Sequence, residues 1–491
     1  MTKTDKSNTI MTTIKEKRLQ IILVIVGVFL ISIFGLQLYA KHKVGKLIDE
    51  KLPENITLTY DDLDLNIFTG TLQLEGANCE IVKLESQKTE SFITAETFEV
   101  SGFSYWSLWK HERFQADNLS TENAQITMFK KESDEVQFSI NKMSFKLYDV
   151  KTDKALLQNK IPFEYKSIDI SLDDLYLNLS RFEHLNVAHV LFNNKNVTFE
   201  DLSIASKYDK ETLSKRLTQE RDHVKFTVPS GDFQDFEIAT VNDSFSVSAT
   251  RFNINNGDLH LFRNKLLPDD FTVKTLYGSR LQNLPIKLNV ESFFIKNTNV
   301  FYSEKVDLDI DPVSISFEHL DAEIKNLSNT NKQKTIIDVT AKLMGKAPLQ
   351  FHWDFNTSDP SDVFNASAIL KDLEASTINP FLESQANVRA LGRIHEMYFT
   401  FYGNDFNSKG EMKMKYEDFK FTILNEDQLG INKTLSALVN ILTNDGSKTD
   451  ANGYRYGSIA VERDRTKSFF NYLWLNTKDG LKNTVVGNGK K

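Results

Sequence analysis

The sequence repeats short stretches in which apolar and polar residues alternate, and the first is DLDLNIFTGTLQLEGANCEI at residues 62–81. Its apolar positions form two runs on either side of Thr69-Gly70: Leu63, Leu65 and Ile67, then Leu72 and Leu74. Successive side chains of a β-strand point to opposite faces, so this alternation predicts two strands that each have one apolar face. Because glycine tolerates the positive backbone angles of tight turns, Thr69-Gly70 is predicted to be a hairpin turn.

Similar stretches, joined by short segments rich in Asn, Gly or Asp, continue from Leu58 onward. Five examples lie at residues 119–129, 168–179, 191–204, 252–262 and 293–303. Asn and Gly adopt the positive φ angles of hairpin corners, so each cluster is predicted to join two strands. The 36 phenylalanines also favour pleated, half-buried surfaces. The predicted fold is therefore mainly β: a long curved antiparallel sheet with short amphipathic helices at the C-terminus.

The segment at residues 19–40 is almost entirely apolar and differs from the rest of the chain. At about 1.5 Å per residue, a helix of this length covers the hydrocarbon core of a bilayer. A cleaved signal peptide is the competing interpretation, but its apolar core is usually shorter and ends at a small-x-small cleavage site. We therefore predict a membrane anchor, with the N-terminus in the cytoplasm and residues 41–491 outside it. The anchor residues are Ile21, Ile22, Leu23, Val24, Ile25, Val26, Val28, Phe29, Leu30, Ile31, Ile33, Phe34 and Leu36.

Changes of composition divide the rest of the chain. Residues 206–222 are highly charged and lack Gly and Pro, which predicts a surface helix or an insertion. In the segment 376–392, Pro380 marks the start of a helix or turn. The predicted regions are a cytoplasmic N-terminus (1–18), the anchor (19–40), a first β-rich region (41–205), the charged segment (206–224), a second β-rich region (225–424) and a helical tail (425–491).

The tail contains two stretches with helical periodicity, residues 431–444 and 466–486. The second stretch is predicted to present one apolar face: Phe470, Leu473, Trp474, Leu481 and Val485. With basic residues nearby, this face fits a membrane or a protein partner. It also fits a cap over the open end of a sheet, which is favoured because an unprotected sheet edge invites aggregation.

Charge and motifs exclude several classes of function. A net charge of −8 gives no basic field for nucleic acid. The single cysteine, Cys79, forms no internal disulfide, and the nine histidines are scattered. No nucleophile motif, metalloprotease motif or nucleotide-binding glycine loop is present, so we predict neither an enzyme nor a cofactor. Acidic stretches such as Asp61, Asp62 and Asp64 fit either a calcium site or the wet face of a strand.

A sheet with one apolar face must cover that face. A filled β-sandwich does so with protein, whereas an open groove would do so with the acyl chains of a lipid. In the second interpretation the candidate groove-lining residues are Leu63, Leu65, Ile67, Leu72 and Leu74.

Three passages resemble the AsmA-like family, which includes TamB-type and YhdP-type proteins and shares its architecture with bridge-like lipid transfer proteins. They are YDDLDLNIFTGTLQLEG after the anchor, LPIKLNVESFFIKNTNVFYSE at residues 284–304, and residues 378–424. The resemblance implies a bacterial inner-membrane protein whose periplasmic β-groove binds phospholipid, for phospholipid transport or homeostasis of the outer membrane and envelope. It offers no catalytic residues. The alternative is a membrane-anchored β-rich scaffold that binds other envelope proteins.

Overall fold

The computed structural model describes residues 54–66, 69–111, 113–153, 155–156, 163–241, 244–309, 311–424 and 449–486. Within these residues the protein is mainly β, with 21 strands and a few short helices, so the predicted class is confirmed at this level. The predicted helix at 431–444 lies outside the described residues. The chain divides into two compact units, Met1–Leu202 with Asp232–Ser246, and Ser203–Gly231 with Val247–Lys491.

The first unit is built from long neighbouring strands. They are β1 Ile56–Thr59, β2 Asp62–Asn66, β3 Thr71–Val82, β4 Thr89–Ser101, β5 Phe114–Phe129, β6 Val136–Thr152, β7 Ser167–Asn178 and β8 Glu183–Asn193, with the short helix α1 Tyr105–His111 before β5. Strand β3 pairs with β1 and β2, and from β3 to β8 each strand is antiparallel to the next.

The chain then passes between the units. This part consists of β9 Asn196–Ser206, α2 Lys210–Arg216, β10 Asp222–Gln234, β11 Glu237–Val241 and β12 Ser244–Asn255. Helix α2 lies inside the segment for which a charged helix was predicted. It begins after Asp209, whose carboxylate accepts the Thr212 N–H at 2.8 Å, a normal N-cap interaction.

The second unit continues with strands and ends in a helix. Its elements are β13 Asp258–Asn264, α3 Tyr277–Gln282, β14 Lys287–Lys305, β15 Val313–Ser328, β16 Thr335–Leu343, β17 Ala347–Phe355, β18 Phe364–Glu374, a 3₁₀ turn at Ala375–Ile378, α4 Asn379–Ala386, β19 Val388–Gly403, β20 Asn407–Ile423, β21 Arg455–Glu462 and α5 Phe469–Val486. Helix α4 has Pro380 in its first turn, as predicted.

The strand pairing is mixed, which corrects the predicted antiparallel sheet. Strands β13 and β14 run parallel, from Asp258 opposite Asn299 to Asn264 opposite Lys305. Parallel neighbours require a crossover connection of a dozen or more residues. The connection here is residues 265–286, which includes α3. Strand alternation alone does not indicate the direction in which a strand is paired.

Two of the predicted corners are true hairpin turns. In the first hairpin, Leu63 lies opposite Leu74 and Leu65 opposite Leu72. The turn is at Thr69-Gly70, and Gly70 has φ +65°. The second hairpin joins β8 and β9 through Asn194, which has φ +53°.

The other four predicted corners among the five examples are not hairpins, although residues there have the predicted positive φ. Asn123, Asp174 and Asn297, with φ of +49°, +54° and +47°, lie inside the continuous strands β5, β7 and β14. A fourth break, at Asn256, separates β12 from β13, but both of these strands pair with β10. Register shifts beside Asn123 and Asn297 mark β-bulges, which bend a strand without reversing it, whereas the strands on both sides of Asp174 keep their register.

Each unit has its own hydrophobic core. The first-unit core is formed by β1–β6 and the segment before β5: Ile56, Leu58, Leu63, Leu72, Leu74, Ala77, Cys79, Ile81, Val100, Phe103, Phe114, Ala116, Leu119, Leu147 and Val150. The second-unit core lies under α4 and α5 and includes Trp353, Phe355, Phe364, Phe401, Met412, Met414 and Tyr472.

The predicted localisation is corrected by the helices. Among the described residues, none forms a helix that is both long and apolar enough to cross a membrane. The longest, α5, has 18 residues but includes Asn476, Asp479 and Lys482. This finding conflicts with a single-pass inner-membrane protein, and we withdraw that localisation. The segment 19–40, on which it was based, lies outside the described residues.

Candidate functional site

One face of the first unit carries apolar residues in rows that cross successive strands. One row steps between directly opposite residues from β2 to β8: Leu63, Leu74, Phe98, Thr121, Phe145, Ile170 and Phe192. A second row runs beside it: Leu65, Leu72, Val100, Leu119, Leu147 and Ile168. Opposite residues lie about 5 Å apart, so each row is an almost continuous apolar track.

The burial of this face changes along the rows. At β3–β5 its apolar residues are mainly buried in the first-unit core, and Leu74 is only 1% exposed. At β6–β8 most of them keep part of their surface in contact with solvent. These partly exposed residues, which we call the half-buried face, are Phe138, Met143, Phe145, Ile168, Ile170, Leu172, Leu175, Leu177, Leu185, Val190 and Phe192.

The buried part of this face, at β3–β5, is its closed end. It is covered by the segment between β4 and β5. Phe103 is buried and its ring packs against Phe114, with 5.2 Å between ring centroids. The Phe103 N–H donates to the Gly70 carbonyl at 3.1 Å. A Cβ on Gly70 would lie 2.7 Å from the Phe103 carbonyl oxygen, so only glycine fits this close approach. The first hairpin turn is therefore packed directly against this segment.

The predicted groove-lining residues lie on the same face but in its closed part. Leu63, Leu72 and Leu74 are buried in the first-unit core, and Leu65 packs against it half-buried. Protein therefore covers them, which corrects their assignment to an open groove, while Ile67 lies outside the described residues. The sequence analysis did not identify the half-buried face, because residues 168–179 and 183–193 alternate in the same way as the first hairpin. Alternation of apolar and polar residues does not reveal what covers the apolar face.

The opposite face of β6–β8 is mainly polar, although Leu191 is 45% exposed on it, opposite Ser171. Lys142, Asp173 and His189 occupy opposite positions on the three strands. His189 Nδ1 lies 2.5 Å from Asp173 Oδ1, with both side chains partly exposed. The two faces of these strands thus have opposite solvation requirements.

The buried surface of α5 differs from the predicted apolar face. Phe470 is 61% exposed, and Leu473, Trp474 and Leu481 are half-buried, whereas Val485 is fully buried. Besides Val485, the residues of α5 that are buried are Phe469, Tyr472, Asn476, Gly480 and Thr484. Several of them are polar or small. Both ends of the Asn476 side-chain amide are hydrogen-bonded. Its oxygen accepts from the Ser408 hydroxyl at 2.7 Å, and its nitrogen donates to the Tyr472 carbonyl at 2.8 Å.

Helix α5 also binds backbone groups of β21. The Asp479 carboxylate accepts the Ala460 N–H at 2.9 Å, and the Asn483 amide donates to the Ser458 carbonyl at 2.8 Å. Buried Arg455 donates to the carbonyls of Thr484 and Val485 at 3.0 and 3.1 Å and thereby satisfies the end of the helix. This arrangement agrees with the capping interpretation of the C-terminal helix.

Among the described residues, no group of three or more His, Cys, Asp or Glu side chains is placed to hold a metal ion. The only cysteine of the chain, Cys79, is buried, and desolvation raises the pKa of its thiol to about 11. A thiol with this pKa is almost entirely protonated at neutral pH and is a poor nucleophile.

No protein-family model matches the chain, and no curated protein matches it.

Proposed function

We propose that the first unit binds the apolar chain of a lipid on the half-buried face, and that the protein takes part in phospholipid transport in the manner of the AsmA-like proteins its sequence resembles. The observation that carries this proposal is the change in burial along one continuous apolar face. Protein covers the face at β3–β5, whereas eleven apolar residues on β6–β8 remain partly in solvent.

The dimensions of the half-buried face suit an acyl chain. From Ile168 to Leu177, β7 extends about 30 Å at about 3.3 Å per residue, and the three strands together are about 10–15 Å wide. Burial of apolar area contributes about 25 cal/mol per Å² without directional requirements. Such a surface holds chains of different length and saturation and lets them slide along it.

The closed end limits what the first unit can do. Phe103, Phe114 and Leu119 fill the space at β3–β5, so a bound chain ends where the first-unit core begins. The first unit therefore acts as a holding site with a blind end.

Site-specific photocrosslinking in the full-length chain tests this proposal. The photoreactive residue p-benzoylphenylalanine replaces Leu172 on the half-buried face, or its neighbour Ser171 on the polar face as a matched control. After irradiation in cells, mass spectrometry should detect lipid adducts of the Leu172 variant and few or none of the Ser171 variant. Equal lipid labelling at the two positions, or only protein adducts at Leu172, would refute lipid binding on this face.

A further inference from the structure

We propose that the second unit docks on the surface of a lipid bilayer through four exposed apolar side chains, which we call the loop patch. Phe271 (71% exposed) and Val273 (56%) lie in the connection between β13 and β14, Phe406 (61%) lies between β19 and β20, and Phe470 (61%) lies in the first turn of α5. Exposed large apolar groups that converge from separate chain segments are typical of an interaction surface.

Backbone hydrogen bonds hold the three segments together. The Lys274 N–H, next to Val273, donates to the Arg465 carbonyl at 2.7 Å. The Arg463 N–H donates to the Phe406 carbonyl, also at 2.7 Å. The ring of Tyr277 lies 6.3 Å from that of Phe470. Hydrogen bonds therefore connect the three backbone segments that carry the residues of the loop patch.

The base under the loop patch is well packed. Phe469 stacks on Trp353 with 4.3 Å between centroids, and Tyr277 packs edge-on against both rings. The buried guanidinium of Arg463 donates to the Asp405 carboxylate and to the Lys274 carbonyl. Because the base is fixed, the exposed side chains need no ordering before they bind, which lowers the entropic cost of docking.

This region is close to neutral, so it repels an anionic surface less than the chain as a whole does. Residues 263–284, 404–406 and 463–470 contain seven Lys or Arg and four Asp or Glu, a balance of +3 in a chain of net −8. Glu220 and Asp222, which pair with Arg263, Lys265 and Lys467, reduce it to +1. Asp362, whose carboxylate accepts the Ser279 N–H at 3.1 Å, reduces it to 0. Arg465 lies 4.8 Å from the centre of the Phe406 ring, so a cation accompanies an exposed apolar group.

These features fit a bilayer better than a protein partner. The apolar groups are single side chains from separate segments with cations between them, and three of the four are phenylalanines. Aromatic and aliphatic groups of this kind insert at the boundary between headgroups and acyl chains, while Lys and Arg bind anionic headgroups. The docking surface does not depend on the half-buried face of the first unit, so either proposal can fail without the other.

The test uses an environment-sensitive fluorophore attached to the full chain at Phe271→Cys. Cys79 is buried with a raised thiol pKa, so a maleimide dye reacts selectively with the introduced cysteine. The matched control is Leu84→Cys, 55% exposed in the turn between β3 and β4. Because the apolar segment 19–40 would itself bind vesicles, the measurement is the local environment of the dye, not co-sedimentation.

Phosphatidylcholine vesicles with phosphatidylglycerol should shift the emission of the dye at position 271 to shorter wavelength, and brominated lipids should quench it. The dye at position 84 should change little. Replacing Val273, Phe406 and Phe470 by Ser should weaken the response at position 271 by about tenfold or more, equivalent to about 1.4 kcal/mol. Equal responses at the two positions, no response at position 271, or a response that follows protein concentration without vesicles would overturn the proposal.

Discussion

At the scale of single residues, positive φ angles were predictable from the sequence. Whether the chain reverses or continues at those residues was not. Among the residues that the structure describes, seventeen non-glycine residues have positive φ, and thirteen of them are Asn or Asp, the types that tolerate this conformation best. The sequence therefore locates many left-handed positions. It does not distinguish a hairpin turn, as at Asn194, from a position within a continuous strand, as at Asp174, because both have the same local angles and differ only in where the next strand pairs.

The left-handed residue Asp174 provides a test at this scale. Asp174 is exposed with φ +54°, so its side chain contributes little packing. We expect Asp174→Gly to leave the melting temperature unchanged or slightly higher, whereas Asp174→Val should cost about 1–2 kcal/mol, because a β-branched side chain clashes with the backbone in the left-handed region. Thermal unfolding of the full chain measures both.

The control is Ser171→Val, within the same strand and without a positive φ, where valine favours β structure and should not destabilise. If valine is tolerated equally at positions 171 and 174, the positive φ at Asp174 is not a conformational constraint.

At the scale of elements, periodicity identified α5 as a helix but misplaced its buried side. An apolar stripe predicts the buried face only when the interface excludes polar groups. Here Asn476 and Thr484 are fully buried because each finds a hydrogen-bond partner: Asn476 bonds Ser408 and the Tyr472 carbonyl, and Thr484 donates to the Gly480 carbonyl at 2.7 Å. Gly480 brings the helix close to Met412 and Ile459. Such complementarity depends on residues far apart in the sequence.

Neighbouring residues of α5 give a direct comparison. Phe469 is buried against Trp353 and Phe364, whereas Phe470 is exposed. Phe469→Ala should therefore destabilise the protein by about 3–5 kcal/mol through lost burial and a cavity, and Phe470→Ala by less than about 1 kcal/mol. Denaturant unfolding monitored by tryptophan fluorescence measures the difference. Similar losses for the two variants would contradict the observed orientation of the helix.

At the scale of the whole molecule, each unit has a buried core, and apolar residues on one face of the first unit remain partly exposed among the described residues. The alternation predicted a face that something must cover, and left open whether protein or lipid does so. In the structure, protein covers Leu63 and Leu74, and solvent reaches part of Leu172 and Val190. Which strands would be covered depends on where the segment containing Phe103 folds back, and no local pattern encodes that position.

The proposed ligand should therefore contribute to stability. A ligand that binds only the folded state stabilises it by RT ln(1 + [L]/Kd), about 2.7 kcal/mol at a hundredfold excess over Kd. For a unit of this size we expect lipid added to the delipidated protein to raise the melting temperature by about 5–10 °C. Ile170→Lys, on the half-buried face between Phe145 and Phe192, should abolish most of this increase, because the ammonium group resists burial under an acyl chain. Ser171→Lys, on the polar face, should preserve it. Each variant is compared with its own lipid-free form, so a loss of intrinsic stability does not imitate a loss of binding, and an equal lipid-dependent increase in both variants would place the ligand elsewhere.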